Sequence, residues 1–417
     1  MLNSASEVIR FIDENDVKFI RLTFCDIFGI QKNISIMPSE LERAFKYGIS
    51  FDASAVSGFN DITESDLFLF PEPQTLAFLP WRPSHGRVVR LFCTIKYPDG
   101  RLFEGDSRNI LKNAVKVIEQ AGFGCDIEPE CEFYLFKNDE DGNPNEVPFD
   151  NATYMDIAPK DKGENVRREI CLMLEAMGIT PKKSHHEQGP GQNEIDFKYS
   201  DALMAADNFI AFKTVVNTVA AQNGIYASFM PKPIPDKAGN GLHINYSLTK
   251  NGKNLFGSNE NQYFTAGIMN RIAEMTAFFN PMHTSYERLG SFEAPRYVTW
   301  SCQNRSQLVR IPASSDEYSR TELRSPDPML NPYLAFALLI YAGVEGIKNK
   351  ETLCEPTNIN LFAADDKTTK SLKQLPSSLV DAIGEAEKSE FINKTLPKKT
   401  IECYLKTKKQ MKSIPRI

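Results

Sequence analysis

The chain has 417 residues, of which 41% are hydrophobic and 24% are charged, and its formal net charge is -6. This composition is typical of a soluble globular protein with more than one domain, and the excess of acid argues against a surface that binds nucleic acid. The longest apolar run, 333–344, is too short to cross a membrane.

The first hundred residues predict a compact, strand-rich unit. The opening segment lacks the basic stretch and apolar core of a secretory signal. Residues 7–15 have helical periodicity, and residues 17–36 alternate as two strands of a hairpin around Phe28-Gly29-Ile30. A helix is predicted at 38–47, and strands at 67–70, 75–79 and 87–97. The eight cysteines show no paired spacing, so we expect free, mostly buried thiols and a cytoplasmic protein.

A domain boundary is predicted near residue 100. Pro98-Asp99-Gly100 is typical of a turn, and Asp106 with Ser107 is suited to cap a long helix at 108–120. Beyond it, long helices alternate with strands. These helices are predicted at 164–177, 201–222, 262–279 and 332–347. We therefore predict an α+β protein with domains at 1–100 and 101–417.

Two carboxylates, Glu187 and Glu194, stand on either side of the turn Gly189-Pro190-Gly191. The glycines let the backbone double back, so two strand ends can bring both side chains to one point. An oxygen-rich cation site is built in this way. The commoner alternative is that each Glu is simply solvated at a loop edge.

The segment 127–136 predicts a strand with three acids on one face. Because side chains alternate along a strand, Glu128, Glu130 and Glu132 share that face. Like charges so close repel unless a cation lies among them. An exposed face with Lys or Arg across it is the general alternative, but the apolar end of the segment indicates a central strand and favours a cation.

One histidine and an alternating charged strand complete the pattern. His243 follows the glycine-rich bend 239–241, although a lone His is more often a core residue than a ligand. Arg320, Glu322 and Arg324 alternate onto one face. They form either a salt-bridged strand or, beside acids and a divalent cation, a site for phosphate or carboxylate, which the guanidinium fork suits.

Five motifs in order carry a resemblance to a known family. They are PECEFYLF, SHHEQGPGQNEIDFKY, FMPKP with GNGLH, NRS with VRIP, and ELRSPDP with NPYLAFA. Through them the chain resembles glutamine synthetase of the bacterial type I class from about residue 15 to about residue 360. The resemblance implies a small N-terminal β-grasp-like domain and a large catalytic domain built on a curved antiparallel sheet with helices. It also implies a ligase that joins ammonia to the γ-carboxylate of glutamate through γ-glutamyl phosphate, giving glutamine, ADP and phosphate.

The resemblance further implies two divalent cations, Mg²⁺ or Mn²⁺, per active site, with ATP as co-substrate. The residues matching one cation site are Glu132, Glu187 and Glu194, and those matching the other are Glu130, His243 and Glu322. Oxygen ligands with a single imidazole suit these metals better than zinc. Neither a Walker A nor a G-x-G-x-x-G sequence is present, so ATP use rests on the resemblance alone.

Other family roles fall on matching positions. The residues implied to bind glutamate are Gly239, Arg288 and Arg324. The residues implied to bind the nucleotide are Tyr199 and Ser247, with Arg305, Arg310 and Arg320 on its phosphates, where Arg305 also serves the transferring phosphoryl group. The residues implied to bind ammonium and remove its proton are Asp52, Tyr154, Glu187 and Glu293, of which Glu293 lies on the flap that shields the acyl phosphate.

Several positions depart from the family and leave alternatives open. Ala238-Gly239-Asn240-Gly241 replaces Asn-Gly-Ser-Gly, Ala55 replaces a Ser, and the flap at 289–292 is one residue shorter. One alternative is therefore a γ-glutamyl ligase for an organic amine, such as a polyamine or methylamine. The other is a non-catalytic structural or regulatory relative, against which the complete set of six ligand positions counts. The segment 359–362 has no Tyr, so adenylylation is not expected.

The family assembles as a homo-oligomer with shared active sites, which implies a hexameric ring here and a dodecamer where two rings stack. Asp52 would enter the pocket of the neighbouring subunit. The Trp-containing tail that ties two rings together is not recognisable. Instead, basic residues accumulate after Lys394 against the single acid Glu402, which favours a solvated helical face and a frayed end. No nucleic acid and no membrane partner is expected.

Overall fold

The computed structural model describes residues 2–59, 62–82, 85–314 and 319–411, which form two β-sheets with helices packed on them. The smaller sheet is mixed, with the order β2-β1-β6-β4-β3 and β5 beside β6. Its strands are β1 (Val17–Cys25), β2 (Gln31–Ile36), β3 (Ile49–Asp52), β4 (Asp66–Pro71), β5 (Ala77–Phe78) and β6 (Arg87–Lys96). Parallel pairing of β1 with β6 sets Ile20 beside Val89 and Leu22 beside Leu91, and these buried side chains form the centre of a core. Helices α1 (Ala5–Glu14) and α2 (Leu41–Tyr47) belong to this unit.

Counted over the described residues, the larger sheet has eleven strands in the order β15-β16-β17-β13-β7-β10-β9, with shorter strands beside β7 and β13. Its strands are β7 (Gly124–Asn138), β8 (Pro144–Pro148), β9 (Pro181–His186), β10 (Gln192–Phe197), β11 (Ser200–Asp201), β12 (Ile225–Ser228), β13 (Leu242–Lys250), β14 (Lys253–Asn254), β15 (Trp300–Cys302), β16 (Val309–Ile311) and β17 (Thr321–Leu323). All pairs are antiparallel except β15 with β16. The long strand β7 lies at the centre, as the apolar end of its sequence predicted.

Within the described residues, ten further helices accompany the larger sheet. They are α3 (Ser107–Gln120), α4 (Glu164–Ala176), α5 (Ala202–Gln222), α6 (Asn259–Phe279), α7 (His283–Arg288), α8 (Pro332–Asn349), α9 (Asp366–Thr369), α10 (Leu379–Lys388), α11 (Glu390–Thr395) and α12 (Lys398–Gln410). Asp106 caps α3 by accepting from the backbone N–H groups of Arg108 and Asn109, as predicted. Helix α8 is buried on nearly all sides because its sequence is almost wholly apolar. Among the helices in the described ranges, none has the length and apolar character needed to span a membrane.

A buried ion network joins the smaller sheet to the helices of the larger unit. Arg108 on α3 donates from Nε and Nη2 to the two oxygens of Asp207 on α5, at 2.8 and 2.7 Å. Its Nη1 lies 2.8 Å from Glu72, which follows β4, and Lys112 also pairs with Glu72. The hydroxyl of Tyr333 donates to Asp207 at 2.7 Å. Every charge in this network therefore has an opposite partner, which buried charges require.

The predicted fold class is confirmed, with local differences. The segment predicted as one helix at 38–47 begins with a 3₁₀ turn at Pro38–Glu40, and the strand predicted at 75–79 is reduced to Ala77–Phe78 by a second 3₁₀ turn. All eight cysteines are free, but Cys302 and Cys354 are exposed, so the thiols are less buried than expected. The chain passes from the smaller to the larger sheet between β6 and β7, which supports the proposed division near residue 100.

The basic C-terminal segment forms α12 and is only partly solvated. Its buried face includes Tyr404 and Lys408, and the Lys408 ammonium lies over the rings of Phe28 and Tyr404 at 5.3 and 5.6 Å. The other lysines of the segment predominantly face solvent, as predicted. The sequence also predicted a frayed end, and the last residues of the chain, 412–417, lie outside the described residues.

Candidate active site

A cavity of about 440 Å³ lies over strands β7, β10 and β13 of the larger sheet. Five of the six predicted metal ligands line it, and the sixth, Glu322 on β17, contacts the lining residues His243, Arg310 and Arg324. The other predicted site residues that line this cavity are Tyr154, Gly239, Arg288, Glu293, Arg305, Arg310, Arg320 and Arg324. The structure thus brings together residues that are up to about 190 positions apart in the sequence.

Strand register concentrates the acids on one face. Glu130 on β7 pairs directly with His243 on β13, and Glu132 pairs with Glu194 on β10. Because alternate residues of a strand share a face, Glu130 and Glu132 both point into the cavity. Glu128, the third acid of the predicted face, instead lines a neighbouring cavity and accepts from Lys182 at 2.7 Å. For this residue the alternative of a basic partner across the sheet is the one observed.

The first acidic cluster surrounds His243. Its Nδ1 lies 3.6 Å from Glu130 Oε2 and 3.5 Å from Glu322 Oε1, and one ligand atom each from Glu130, Glu194 and His243 lie within 4.8 Å of one another. Burial opposes ionisation of Glu130, but the His243 imidazole and the charge of Lys183 outweigh it and hold the pKa of Glu130 well below its usual range. Glu130 is therefore ionised at neutral pH.

The second acidic cluster contains Glu187, Glu194 and a residue that sequence reasoning missed, His185. His185 Nε2 lies 3.3 Å from Glu194, and its Nδ1 lies 3.5 Å from Glu187. Burial and the neighbouring charges of Glu132 and Glu194 raise the pKa of Glu187 to about 9. Burial also raises the pKa of Glu132, although Gly241 donates its backbone N–H to that carboxylate at 2.7 Å.

The two carboxylates with raised pKa values, Glu132 and Glu187, form no ion pair with a Lys or Arg among the described residues. The additional base Lys183, which the sequence also did not single out, lies 3.3 Å from Glu194 and 2.7 Å from Asp196. A set of buried carboxylates with one or two imidazoles is the donor chemistry that Mg²⁺ and Mn²⁺ accept. The residues present therefore fit divalent cations.

Two buried arginines form the opposite wall. Arg288 donates to the carbonyl oxygens of Ser325 at 2.8 Å and Arg324 at 3.2 Å, which fixes its guanidinium. Gly239 packs against it, since a Cβ there would lie 3.0 Å from the Arg288 side chain and would clash with the Pro231 carbonyl. Arg324 pairs with Glu322, which also accepts from Arg310 at 2.6 Å.

The flap, defined here as residues 289–294, passes over the cavity. The Arg324 Nη2 donates to the backbone carbonyl of Glu293 at 3.2 Å. The Glu293 carboxylate lies 3.7 Å from Arg305, whose side chain is 51% exposed. Arg305 is thus less constrained by the protein than Arg288 or Arg324, which are buried.

A smaller cavity of about 130 Å³ adjoins the first. Tyr199 and Ser247 line it, as does Arg320, which lines both cavities. Arg320 donates from Nε to Asn245 at 2.9 Å, and its Nη2 lies 3.7 Å from Glu130. The predicted nucleotide residues therefore divide between the two cavities, with Arg320 at the junction.

Asp52 is the predicted site residue that the chain does not bring to this place. It ends β3 in the smaller sheet, where it accepts from the backbone N–H and hydroxyl of Ser54 at 2.9 and 2.6 Å, and it lines neither of these two cavities. Tyr154 does line the larger cavity, with its ring edge-on to His185 at 5.5 Å. The surface beside it is apolar, since Tyr154, Met155 and Ile157 are 47%, 58% and 75% exposed.

Two family models match the chain. One is described as the glutamine synthetase beta-Grasp domain and matches residues 16–98. The other is described as the glutamine synthetase catalytic domain and matches residues 104–413. Together they include both sheets and both cavities.

Relatives and solved structures agree with these matches. A glutamine synthetase of Methanosarcina mazei is 46% identical over 410 residues, covering 96% of this chain and 92% of the relative. One of Clostridium saccharobutylicum is 45% identical, covering 94% and 90%. A structure titled GmaS/ADP complex superposes with a TM-score of 0.88 at 29% identity, covering 98% of this chain and 95% of the other. The Plasmodium falciparum glutamine synthetase gives 0.86 at 25% identity, with the same coverage of both chains.

Proposed function

The chain belongs to the glutamine synthetase family, and we propose that its larger cavity is where it joins ammonia to the γ-carboxylate of glutamate at the expense of ATP. The products of this ligase are glutamine, ADP and phosphate, formed through γ-glutamyl phosphate. The observation that carries the assignment of the site is the pairing of a buried, acid-rich wall with a wall of arginines across one cavity. Such a cavity holds cations against one wall and anionic substrates against the other.

Two divalent cations, Mg²⁺ or Mn²⁺, would be held by the acidic wall. The proposed ligands are Glu132, Glu187 and Glu194 for one and Glu130, His243 and Glu322 for the other. His185 lies close enough to Glu187 and Glu194 to orient both. When bound, the cations neutralise phosphate oxygens and so favour phosphoryl transfer.

The arginines bind the anionic groups of both substrates in this proposal. Arg288 and Arg324, held rigidly by backbone carbonyls and by Glu322, bind the carboxylates of glutamate beside Gly239. Tyr199 and Ser247 contact the nucleotide in the smaller cavity. The phosphates then extend past Arg320 towards Arg310 and Arg305, because Arg320 lines both cavities.

The acceptor nitrogen enters beside Tyr154, Glu187 and Glu293. Carboxylates there favour ammonium and take a proton from it before the nitrogen attacks the acyl carbon. Asp52 completes this group from a second copy of the chain, in a homo-oligomer that we propose to be a hexameric ring or a dodecamer. The exposed apolar patch of Tyr154, Met155 and Ile157 supports a partner at this place, because it would be buried by the neighbour.

The test is product formation by the pure protein. With ATP, Mg²⁺, glutamate and ammonium we expect equal amounts of ADP and glutamine, and no product when a chelator removes the metal. A panel of amines in place of ammonium decides the acceptor. A higher kcat/KM for methylamine or a polyamine would identify the organic-amine ligase instead, and no ADP with any amine would identify a non-catalytic relative.

A further inference from the structure

The flap has a backbone that needs external support. Phe292 and Glu293 are consecutive residues with φ of 47° and 65°, in the left-handed region that residues with a side chain rarely adopt. Two hydrogen bonds inside the flap close the turn, from Gly290 N–H to the Ala294 carbonyl at 2.9 Å and from Ala294 N–H to the Ser291 carbonyl at 3.0 Å. Two strained residues in succession persist only where neighbouring groups hold them.

One support is the Arg324 bond to the Glu293 carbonyl, and the other involves the side chain of Phe292. The Phe292 ring is 49% exposed, so hydrophobic burial holds it weakly. The ammonium of Lys232, however, lies 4.5 Å from the centroid of that ring. A cation at this distance from an aromatic face is attracted to it, more strongly where water is excluded.

Lys232 is well placed for such a contact because it is itself fixed. It is only 3% exposed, it stands between Pro231 and Pro233, and its Nζ donates to the Lys237 carbonyl at 2.5 Å. A buried ammonium is costly unless polar or aromatic groups compensate it. The Phe292 ring and the Lys237 carbonyl both do so, which makes Lys232 a fixed point under the flap.

We propose that Lys232 is a positioning residue that holds the flap by its contact with Phe292 and thereby keeps the Glu293 carboxylate over the cavity. The inference rests on the proposed function in one respect, the protection of γ-glutamyl phosphate. If the flap is released, water attacks the acyl carbon and the bond from that carbon to the phosphate oxygen breaks. Glutamate and phosphate result, so ATP is hydrolysed to ADP and phosphate without making glutamine.

The first test measures coupling, the ratio of ADP to glutamine formed. The variants are Lys232→Met and Phe292→Leu, and the matched control is Lys237→Met, whose side chain is exposed in the same loop. We expect the two test variants to release excess ADP, with the glutamine-independent ATPase rising up to about tenfold. The control should keep the wild-type ratio. Because the Phe292 ring is half exposed, Phe292→Leu folds even if Lys232→Met does not, and a wild-type ratio in that variant overturns the proposal.

The second test does not depend on the activity. Hydrogen exchange of the unliganded protein reports the flap amides of Gly290 and Ala294, which should exchange up to about tenfold faster in both test variants than in the wild type or the control. Exchange of these amides in the double variant should be no faster than in either single variant, because both changes remove the same contact. Lys232→Arg and Phe292→Tyr should exchange as slowly as the wild type, because each keeps a cation on a ring. Unchanged exchange in Phe292→Leu contradicts the inference. If the wild type makes no glutamine, the proposed function is wrong. The exchange data still test, independently of activity, whether Lys232 holds the flap.

Discussion

At the scale of single residues, the repulsion between Glu132 and the buried carboxylates near it favours the binding of a cation. Three buried carboxylates, Glu132, Glu187 and Glu194, line one cavity, and the pKa of Glu187 rises to about 9 as a result of burial and of the other two charges. Such repulsion destabilises the protein unless a cation relieves it. We therefore propose that the acids that repel one another are the ones that bind the metal.

Replacing Glu132 by Ala should reduce glutamine formation at least about 100-fold. The reason is that one proposed metal ligand is lost, and Glu194, which pairs with Glu132 across the strands, no longer shares the metal with it. Binding of Mn²⁺ to the variant, measured by titration, should weaken by a similar factor. The control is Glu146→Ala, an exposed acid on β8. Wild-type turnover by chelator-treated protein, or by Glu132→Ala, would contradict a metal-dependent site.

A second prediction at this scale concerns Gly239. A methyl group added there would displace Arg288, which is proposed to bind a carboxylate of glutamate with two hydrogen bonds. Gly239→Ala should therefore raise KM for glutamate at least about tenfold, while KM for ATP changes little. Gly384→Ala on α10 is the control, since a Cβ there meets no atom within 4 Å, and it should behave as wild type. Steady-state kinetics with each substrate varied decides the matter, and equal changes in both constants would argue against a glutamate site at Arg288.

At the scale of elements, α12 differs most from the sequence-based prediction. Burial lowers the pKa of Lys408 to about 8, against an ordinary value of 10.5 for a free lysine. The folded state therefore releases this proton more readily than the unfolded state. The contribution of Lys408 to stability is lowest below pH 8 and increases as pH rises towards 10.5, because there the unfolded chain binds more protons.

Lys408→Met removes this dependence. Between pH 7 and pH 10.5 the unfolding free energy of the wild type should therefore gain about 3 kcal/mol relative to the variant. Denaturant unfolding of both proteins at the two pH values measures the gain. Lys409→Met, which removes an exposed lysine one position away, is the control. A constant difference between wild type and Lys408→Met would mean that the ammonium is not desolvated.

Regular elements were predictable where one periodicity dominated the sequence. The hairpin of β1 and β2, the cap of α3 at Asp106 and the apolar helix α8 all follow from local patterns. The short strand β3 was not predicted, since four residues show too little alternation. The family motifs predicted most of the site residues. His185 and Lys183 were missed because they face the cavity through the pairing of β9 with β10, whose register local sequence does not specify.

At the scale of the whole molecule, one chain contains a cavity that lacks one of its proposed groups, Asp52. The residue lies in the smaller sheet, and the apolar patch beside Tyr154 faces solvent in a single chain. We propose that a second subunit, whose smaller sheet would pack there, accounts for both features. The site is then a property of the assembly.

Mixing two inactive variants tests the shared site. Asp52→Ala and Arg324→Ala proteins should each be nearly inactive, but rings assembled from both should recover part of the wild-type rate, because some interfaces carry both defects and others carry neither. Size-exclusion chromatography with mass detection verifies that mixed rings have formed. Mixed rings without activity would place Asp52 in the pocket of its own subunit.

In the proposed ring, the buried ion network would connect the larger unit of one subunit to the pocket of the next. Glu72, the residue after β4, forms ion pairs with Arg108 and Lys112 of the larger unit. Strand β4 pairs with β3, which ends at Asp52. We therefore expect a shift of α3 in one subunit to move Asp52 in the pocket of the next. If the ring forms as proposed, substrate binding at neighbouring pockets should be cooperative, without a separate effector site.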